Sequence, residues 1–263
     1  MTEPLVDIGA NLTHDSFNDD RDQVIERAAE AGVTRIILTG TDCMSSQDAL
    51  ALARTRPGDL YATAGMHPHH ASDYSDEIRA TFAELIKEEP VVAVGECGLD
   101  YFRNFSPHED QRRVFDSQLE LAVESGLPVF LHQRDAHKDF VEILKPRLDD
   151  ITAGVAHCFT GNREALHEYL SMGLYIGITG WICDERRGQT LNEIVADIPL
   201  DRLMIETDAP YLLPRTLKPK PKTRRNEPAH LTEVLRVVAE AMQESEATVA
   251  QATTANAERF FGI

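Results

Sequence analysis

The sequence predicts an α/β protein in which eight parallel strands close into a (β/α)8, or TIM, barrel. Short apolar runs alternate with helical patterns along the whole chain, which is typical of a parallel sheet. Eight such repeats favour closure into a barrel, although an open doubly wound sheet remains an alternative. The length of 263 residues suits one barrel domain, and we expect residues 1–263 to form a single domain.

The strands are predicted from short runs of aliphatic and β-branched residues, many bounded by glycine or proline. They lie at residues 5–8, 35–38, 61–65, 91–95, 129–131, 153–156, 174–178 and 203–205. Helices are predicted between them, for example at 21–31, where Gly32 ends the pattern. After the fourth strand, Ser106, Pro107 and Glu109 predict a capped helix start with a capping box. A helix at 231–242 and a shorter final helix complete the chain.

Composition limits the possible partners. The net charge of −18 argues against broad, nonspecific coating of nucleic acid. It leaves room for a local basic patch, or for an anionic substrate bound through metal ions. No apolar run approaches the roughly 20 residues that span a bilayer, and the N-terminus lacks signal-peptide features. We therefore expect a cytoplasmic protein with no membrane partner, and a monomer, since no interface signature is present.

The four cysteines are widely spaced and form no CxxC pair. Reduced thiols in a cytosolic protein are the expected state.

Four of the predicted strands lead into a residue that can bind a divalent metal. These residues are Glu96, His132, His157 and Asp208. In a parallel barrel the carboxyl ends of all strands open on one face, and that face holds the active site. Imidazole and carboxylate groups suit Mg²⁺, Mn²⁺ or Zn²⁺. The pattern predicts a metal site in which Glu96 could bridge two ions and Asp208 could take the proton from a bound water.

Basic residues that could hold an anionic substrate lie near these strand ends. A loop after Asp208 carries Arg215, Lys218, Lys220, Lys222, Arg224 and Arg225. A phosphate-contacting role and an ordinary solvated surface are both open for this basic loop. Arg134 follows a ligand-bearing strand, as does Arg103, and either could contact phosphate or form a structural ion pair. His67 ends the third strand. We take His67, Arg134 and Arg225 as candidate substrate-binding residues.

Aromatic residues are frequent in the loops predicted on the same face. They are Tyr101, Phe102, Phe105, Phe159, Trp181 and Tyr211. Such rings stack on unpaired bases in proteins that bind single strands. Packing beneath the loops is the alternative for each of them.

Six motifs occur in order along the chain. They are GMHP at 65–68, GECGLD at 95–100, HQRDA at 132–136, HCFTG at 157–161, ETDAP at 206–210 and RNEP at 225–228. Together they resemble the TatD family of metal-dependent deoxyribonucleases, from the first strand to the C-terminus. The resemblance implies an amidohydrolase-like TIM barrel with cytoplasmic 3′-to-5′ exonuclease activity on single-stranded nucleic acid, linked to DNA repair. It also implies that Glu96, His132 and His157 are metal ligands and that Asp208 is catalytic.

One segment departs from the usual family pattern. Most members carry His-x-His after the first strand, whereas this chain has Gly9-Ala10-Asn11. Glycine has no ligating side chain, and asparagine offers only a neutral oxygen or a donor amide. The resemblance is strongest to the branch of the family with this same Gly-x-Asn pattern. We therefore expect weak metal binding in the free protein and Mg²⁺ as the cofactor, with Zn²⁺ or Mn²⁺ as alternatives.

The leading hypothesis is a Mg²⁺-dependent 3′-to-5′ exonuclease acting on single-stranded DNA, and on RNA as well. An amidohydrolase-type deacylase or esterase is the alternative, because the same metal site would polarise a carbonyl equally well. The basic loop and the aromatic residues favour a phosphodiester. A third hypothesis is a binding protein that lost activity with the histidine pair, and the presence of all four strand-end residues argues against it. The choice between DNA and RNA stays open.

Overall fold

The computed structural model describes residues 3–263, and in them eight strands form one parallel sheet. Each strand pairs with the next in sequence order. The strands are β1 Leu5–Ala10, β2 Val33–Leu38, β3 Leu60–Ala64, β4 Val91–Asp100, β5 Val129–Arg134, β6 Gly154–Ala156, β7 Tyr175–Ile178 and β8 Leu203–Ile205. The predicted TIM barrel is confirmed.

Helices surround the sheet, with at least one after every strand. They are α1 Arg21–Glu30, α2 Cys43–Ala53, α3 Asp76–Leu85, α4 His108–Ser125, α5 His137–Leu144, α6 Arg163–Ser171, α7 Gln189–Ile194, α8 Leu231–Met242 and α9 Glu246–Phe261. None of these helices within residues 3–263 has the length and apolar character needed to cross a bilayer. All four cysteines are free thiols.

The predicted start of α4 is wrong. The helix begins at His108, and its N-cap, Pro107, provides no side-chain hydrogen bond. The Ser106 hydroxyl instead donates to the carbonyl of His69 at 2.9 Å and accepts the Ser72 N–H at 3.1 Å. Ser106 therefore ties the loop after β4 to the loop after β3, because the tertiary contact competes successfully with the local cap.

The final helix is longer than predicted. With 16 residues, α9 exceeds the 12 residues of α8. It packs across the end of the barrel where the strands begin: Thr254 donates to the carbonyl of Pro4, just before β1, and Asn256 donates to that of Leu203 in β8. Its Phe260 and Phe261 join the apolar cluster inside the barrel. The helix therefore closes one end of the barrel and leaves the opposite end for a site.

Two of the strands that carry proposed metal ligands extend past those ligands. β4 continues past Glu96 to Asp100, and β5 includes His132. The prediction that these two residues end their strands is therefore wrong. His157 does follow β6 directly, and Asp208 comes shortly after β8.

Hydrogen bonds between the first and last strand segments close the barrel. The Asp208 N–H donates to the carbonyl of Gly9 at 2.8 Å, and the Asn11 N–H donates to that of Ala209 at 2.7 Å. The fully buried Asp7 carboxylate accepts the Thr207 N–H at 2.9 Å and its hydroxyl at 2.5 Å. The closure holds the segment that carries Asp208 in place.

Replacing Asp7 tests this closure. Asp7→Ala leaves a buried N–H and hydroxyl of Thr207 without their acceptor, and should lower the free energy of unfolding by about 1–3 kcal/mol. Burial raises the pKa of Asp7 from 3.8 to about 7. Between these values the folded state holds more protons than the unfolded state, so this group makes wild-type stability fall as pH rises toward about 7. Urea titrations over this range should show a flatter pH profile for the variant.

Asp59→Ala is the matched control, because Asp59 is an exposed carboxylate. It should keep both the wild-type stability and the wild-type pH profile. Equal stability of Asp7→Ala and Asp59→Ala would contradict the role assigned to Asp7.

Candidate metal centre

Three imidazoles surround one carboxylate oxygen at the open end of the barrel. Glu96 Oε1 lies 2.7 Å from His157 Nε2, 2.8 Å from His132 Nδ1 and 3.4 Å from His67 Nε2. His67, Glu96 and His132 offer ligand atoms that all lie within 4.8 Å of one another. The structure thus brings together the three predicted metal ligands and the third-strand histidine.

A glycine before Glu96 explains how the strand presents this carboxylate. Gly95 has a φ of 133°, and a Cβ there would lie 2.3 Å from the carbonyl oxygen of Phe130. The register between β4 and β5 shifts at this point, between Val94 and Cys97. Because only glycine fits this conformation and this spacing, the first residue of the GECGLD motif is required for the local bend.

Two of the imidazoles carry a second carboxylate on their far side. His157 Nδ1 lies 3.3 Å from Glu206 Oε2, and His132 Nε2 lies 3.6 Å from Asp100 Oδ2. A carboxylate on the outer nitrogen fixes the orientation of a ligating histidine and leaves the lone pair of the inner nitrogen free. The carboxylate of Glu206 therefore prepares His157 to face a cation beside Glu96, whereas Asp100 lies beyond hydrogen-bond distance of His132.

His67 is arranged in the opposite way. Its Nδ1 accepts the N–H of His69 at 3.0 Å, so the neutral ring carries its proton on Nε2, the atom that faces Glu96. Burial holds the pKa of His67 well below its ordinary value, which keeps the ring neutral. His67 thus offers an N–H to the site, as a residue that binds a phosphate oxygen would. Its predicted substrate contact stays a prediction.

The charges of the cluster suit a cation. Burial raises the pKa of Glu96, but the imidazoles of His157, His67 and His132 outweigh it and hold that pKa well below the usual value. Burial lowers the pKa of His157, yet the carboxylates of Glu96 and Glu206 raise it well above the ordinary range. His132 Nε2 is buried without a hydrogen-bond partner in the described chain. An anionic carboxylate surrounded by histidine nitrogens fits a divalent metal.

Asp208 lies beside this cluster and is partly buried. Its Oδ1 accepts the side-chain N–H of Asn11 at 3.0 Å. Burial raises the pKa of Asp208 to about 7, helped by the charges of Glu96 and Glu206 and opposed by His157. A carboxylate with such a pKa is suited to accept a proton near neutral pH.

The Gly9-Ala10-Asn11 segment has a structural explanation. A Cβ on Gly9 would lie 2.5 Å from Glu206 Oε2, and one on Gly177 would lie 2.8 Å from Glu206 Oε1. The two glycines therefore make room for the fully buried Glu206, which orients His157. A larger residue at position 9 would force this carboxylate to move.

Three supporting residues received no role from the sequence. Asn11 positions Asp208, while Asp100 and Glu206 face the outer nitrogens of two histidines. Asp100 and Glu206 belong to the GECGLD and ETDAP motifs, so the sequence did contain a signal: each motif holds a second carboxylate near the one singled out.

The cluster opens into a cleft of about 810 Å³ that is lined by His67, Glu96, Arg134, His157 and Asp208, among others. Arg134 has no carboxylate within ion-pair distance in residues 3–263 and lies over the Phe102 ring, with 3.9 Å between its Cζ and the ring centroid. Its position agrees with the predicted substrate contact, which stays a prediction.

Arg225 and the basic loop lie elsewhere. The guanidinium of Arg225 pairs with Asp20 at 2.7 Å and with Glu227 at 2.8 Å. Arg215 pairs with Glu185 at 2.6 Å. The structure describes every basic residue of this loop, and none of them lines the cleft. The geometry therefore favours the structural ion pair over the predicted substrate contact for Arg225.

Glu206→Gln tests the orienting role of this carboxylate. Loss of the charge behind His157 should weaken divalent-cation binding about 10–100-fold while the far-UV circular dichroism spectrum stays unchanged. Isothermal titration calorimetry with Mn²⁺ measures the effect. Glu168→Gln is the matched control, because Glu168 pairs with His137 at 2.8 Å, outside the cluster. Equal affinities in both variants would refute the assignment.

Comparison with known proteins shows the family of this chain. A family model described as TatD related DNase matches residues 6–262. A relative from Erwinia tasmaniensis, named 3′-5′ ssDNA/RNA exonuclease TatD, is 52% identical over 259 residues, which are 98% of this chain and 100% of the relative. A solved TatD homologue from Escherichia coli K12 has 32% identity and a TM-score of 0.91 over 100% of both chains. A solved, uncharacterized amidohydrolase from Saccharomyces cerevisiae, 23% identical, shares the fold with a TM-score of 0.85 over 98% of this chain and 99% of its own. The chain belongs to the family of TatD-related DNases.

Proposed function

We propose that the protein is a metal-dependent nuclease that removes nucleotides from the 3′ end of single-stranded DNA and RNA. The observation that carries the proposal is the gathering of Glu96, His132, His157 and Asp208 at the open end of the barrel. The relative from Erwinia tasmaniensis bears the name of this activity and is similar over nearly the whole chain.

We further propose that Glu96, His132 and His157 hold a divalent cation, with Asp208 beside it. When bound, such a cation acts as a Lewis acid toward a phosphoryl oxygen and lowers the pKa of water. Mg²⁺ is the proposed cofactor because the region around Asp208 offers carboxylate and amide oxygens, with Asn11 and Gly9 where other family members carry histidines. Zn²⁺ and Mn²⁺ are the alternatives, since imidazole binds both.

The remaining steps fall to the protein's own side chains. Asp208, held by Asn11, accepts the proton of the attacking water. The N–H of His67 and the guanidinium of Arg134 face the cleft and contact the phosphate oxygens of the substrate.

The shape of the site supports action at a chain end. The barrel beneath the cluster is filled with apolar side chains, including Ile8, Phe130 and Val155. The cleft is therefore closed at its base and does not run through the barrel. A strand end enters such a depression more easily than the middle of a duplex. The net charge of −18 gives the body little attraction for duplex phosphates.

The decisive experiment follows products of end-labelled single-stranded DNA. Protein freed of metal by chelation should be inactive, and added Mg²⁺ should restore a ladder that shortens from the 3′ end of 5′-labelled DNA. Parallel reactions with Mn²⁺ and Zn²⁺ compare the alternative ions. Cleavage of circular single strands at the linear rate would show an endonuclease and overturn the proposal. Hydrolysis of acyl esters without nuclease activity would favour the deacylase alternative.

Asp208→Asn should lower kcat by about 10²–10⁴-fold and keep substrate affinity, because it preserves shape and removes the base. Activity requires the ionised carboxylate, so the wild-type rate should rise with pH through the pKa of about 7 set mainly by burial. Metal binding would shift this rise in rate to lower pH, and Asp208→Asn should not show the rise. A profile of kcat against pH measures both effects. If the rate of Asp208→Asn rose with pH as the wild-type rate does, another group would be responsible for the rise.

The cellular setting is also proposed from the sequence. Free thiols at all four cysteines fit a reducing compartment, which supports the cytoplasm. We propose a monomer built from a single domain over residues 1–263, and a link to DNA repair.

A further inference from the structure

Exposed apolar side chains concentrate at the open end of the barrel. Among residues 3–263 the exposed large apolar side chains are Met44, Phe102, Phe105, Val123 and Tyr211. All except Val123 line the main cleft or a smaller cleft beside it. Because scattered exposed residues need no explanation but a clustered apolar rim marks a binding surface, this end of the barrel is built to meet a ligand.

The charges around this rim are unequal. On the side of α2 the main cleft is lined by Asp42 and Asp48. On the side of β4, β5 and β7 it is lined by Arg103, Arg134 and Arg187, and the one carboxylate of β4 there besides Glu96, Asp100, is buried. A polyanion that leaves the metal cluster is therefore repelled on one side and attracted on the other.

The attractive side continues as a separate groove, here named the side cleft. It has a volume of about 380 Å³ and is lined by Phe102, Arg134, Trp181, Arg187 and others, among them one exposed carboxylate, Asp135, beside Arg134 in sequence. Arg134, Thr160, Trp181 and Arg187 also line the main cleft, so the two spaces adjoin. A strand can pass from the metal cluster into the side cleft without crossing the acidic side.

Trp181 is held firmly in this groove. The Arg187 guanidinium lies over its ring, 4.4 Å from the centroid, and the indole N–H donates to the Arg187 carbonyl at 3.2 Å. Arg187 is in turn paired with the buried Asp184 at 2.8 Å. Since Asp184 neutralises Arg187, the unpaired cation of the side cleft is Arg134.

We propose that the side cleft binds the nucleotides on the 5′ side of the cleaved bond. Their bases stack on Phe102 and Trp181, and a phosphate between them pairs with Arg134. Stacking on aromatic rings with a cation for the backbone is the usual way to hold a single strand without reading its sequence. The inference rests on the proposed nuclease function and adds to it the path of the strand.

Substrate length separates this inference from the proposed function. An oligonucleotide of about twelve nucleotides fills the side cleft, whereas a dinucleotide leaves most of it empty. For Phe102→Ala and Trp181→Ala, we expect KM for the long substrate to rise about tenfold, with little change in kcat. KM for the dinucleotide should change much less. Val123→Ala and Arg186→Ala, which alter an exposed apolar residue and an exposed arginine outside the clefts, should match the wild type.

Salt dependence gives a second readout that a merely structural defect would not produce. A cation that contacts one phosphate contributes about 0.7 to the slope of log affinity against log salt for a single strand. Arg134→Ala should lower this slope by about that amount, and Arg186→Ala should leave it unchanged. Fluorescence anisotropy with a labelled oligonucleotide measures the slope without turnover, in an Asp208→Asn background.

Each outcome separates the two proposals. If the wild type binds and cleaves neither substrate, the proposed function fails. If it cleaves both, but Phe102→Ala and Trp181→Ala keep the wild-type length dependence and Arg134→Ala keeps the wild-type salt slope, the side-cleft assignment is overturned. A loss in Met44→Ala alone would place the strand on the acidic side of the cleft, and would likewise overturn it.

Discussion

The carboxylate of Glu96 is the group on which the arrangement of the site depends. It is buried, remains ionised, and has three imidazole nitrogens within 3.4 Å of one oxygen. An isolated buried carboxylate would be strongly unfavourable, so the surrounding histidines stabilise it and it orients them in return. Without a metal, protons on the imidazoles balance this charge. With a metal bound, the cation would balance the charge of Glu96 instead. The same side chains would then surround this carboxylate in the metal-free and the metal-bound protein.

The barrel and the site are coupled through the last strand. Thr207, bonded to Asp7 of β1, lies between the two functional carboxylates Glu206 and Asp208. The hydrogen bonds between the first and last strands fix the backbone of this segment. They therefore hold in place both Glu206, which orients His157, and the proposed base, Asp208. Glu206 and Asp208 lie near each other and near Glu96, and this mutual repulsion raises the pKa of Asp208 beyond the effect of burial.

Periodicity was sufficient to predict the barrel, because each strand is a short apolar run and each helix has its own apolar face. It failed where a distant contact outweighed a local preference, as for Ser106, whose hydroxyl bonds the loop after β3. The residue types of the proposed ligands were predictable, but Glu96 and His132 lie within β4 and β5 rather than after them. The carboxylate on the far side of a histidine was not predictable, because pairs such as His157 and Glu206 lie far apart in sequence. The density of basic residues in the sequence did not indicate which of them faces the cleft. The densest basic loop holds Arg225 in ion pairs, whereas Arg134 faces the cleft.

The Gly-x-Asn segment shows how one site can exchange a metal ligand for a supporting contact. In place of a first histidine, Gly9 leaves a volume that the carboxylate of Glu206 occupies. In place of a second, Asn11 donates a hydrogen bond to Asp208. Two potential nitrogen ligands are thereby replaced by one oriented carboxylate and one oriented base. A site built in this way has fewer nitrogen donors for a second tightly held ion, and in the proposed function substrate phosphate would help to hold a hard cation such as Mg²⁺. The absence of the histidine pair is therefore compatible with catalysis, provided that Glu206 and Asn11 keep His157 and Asp208 in position.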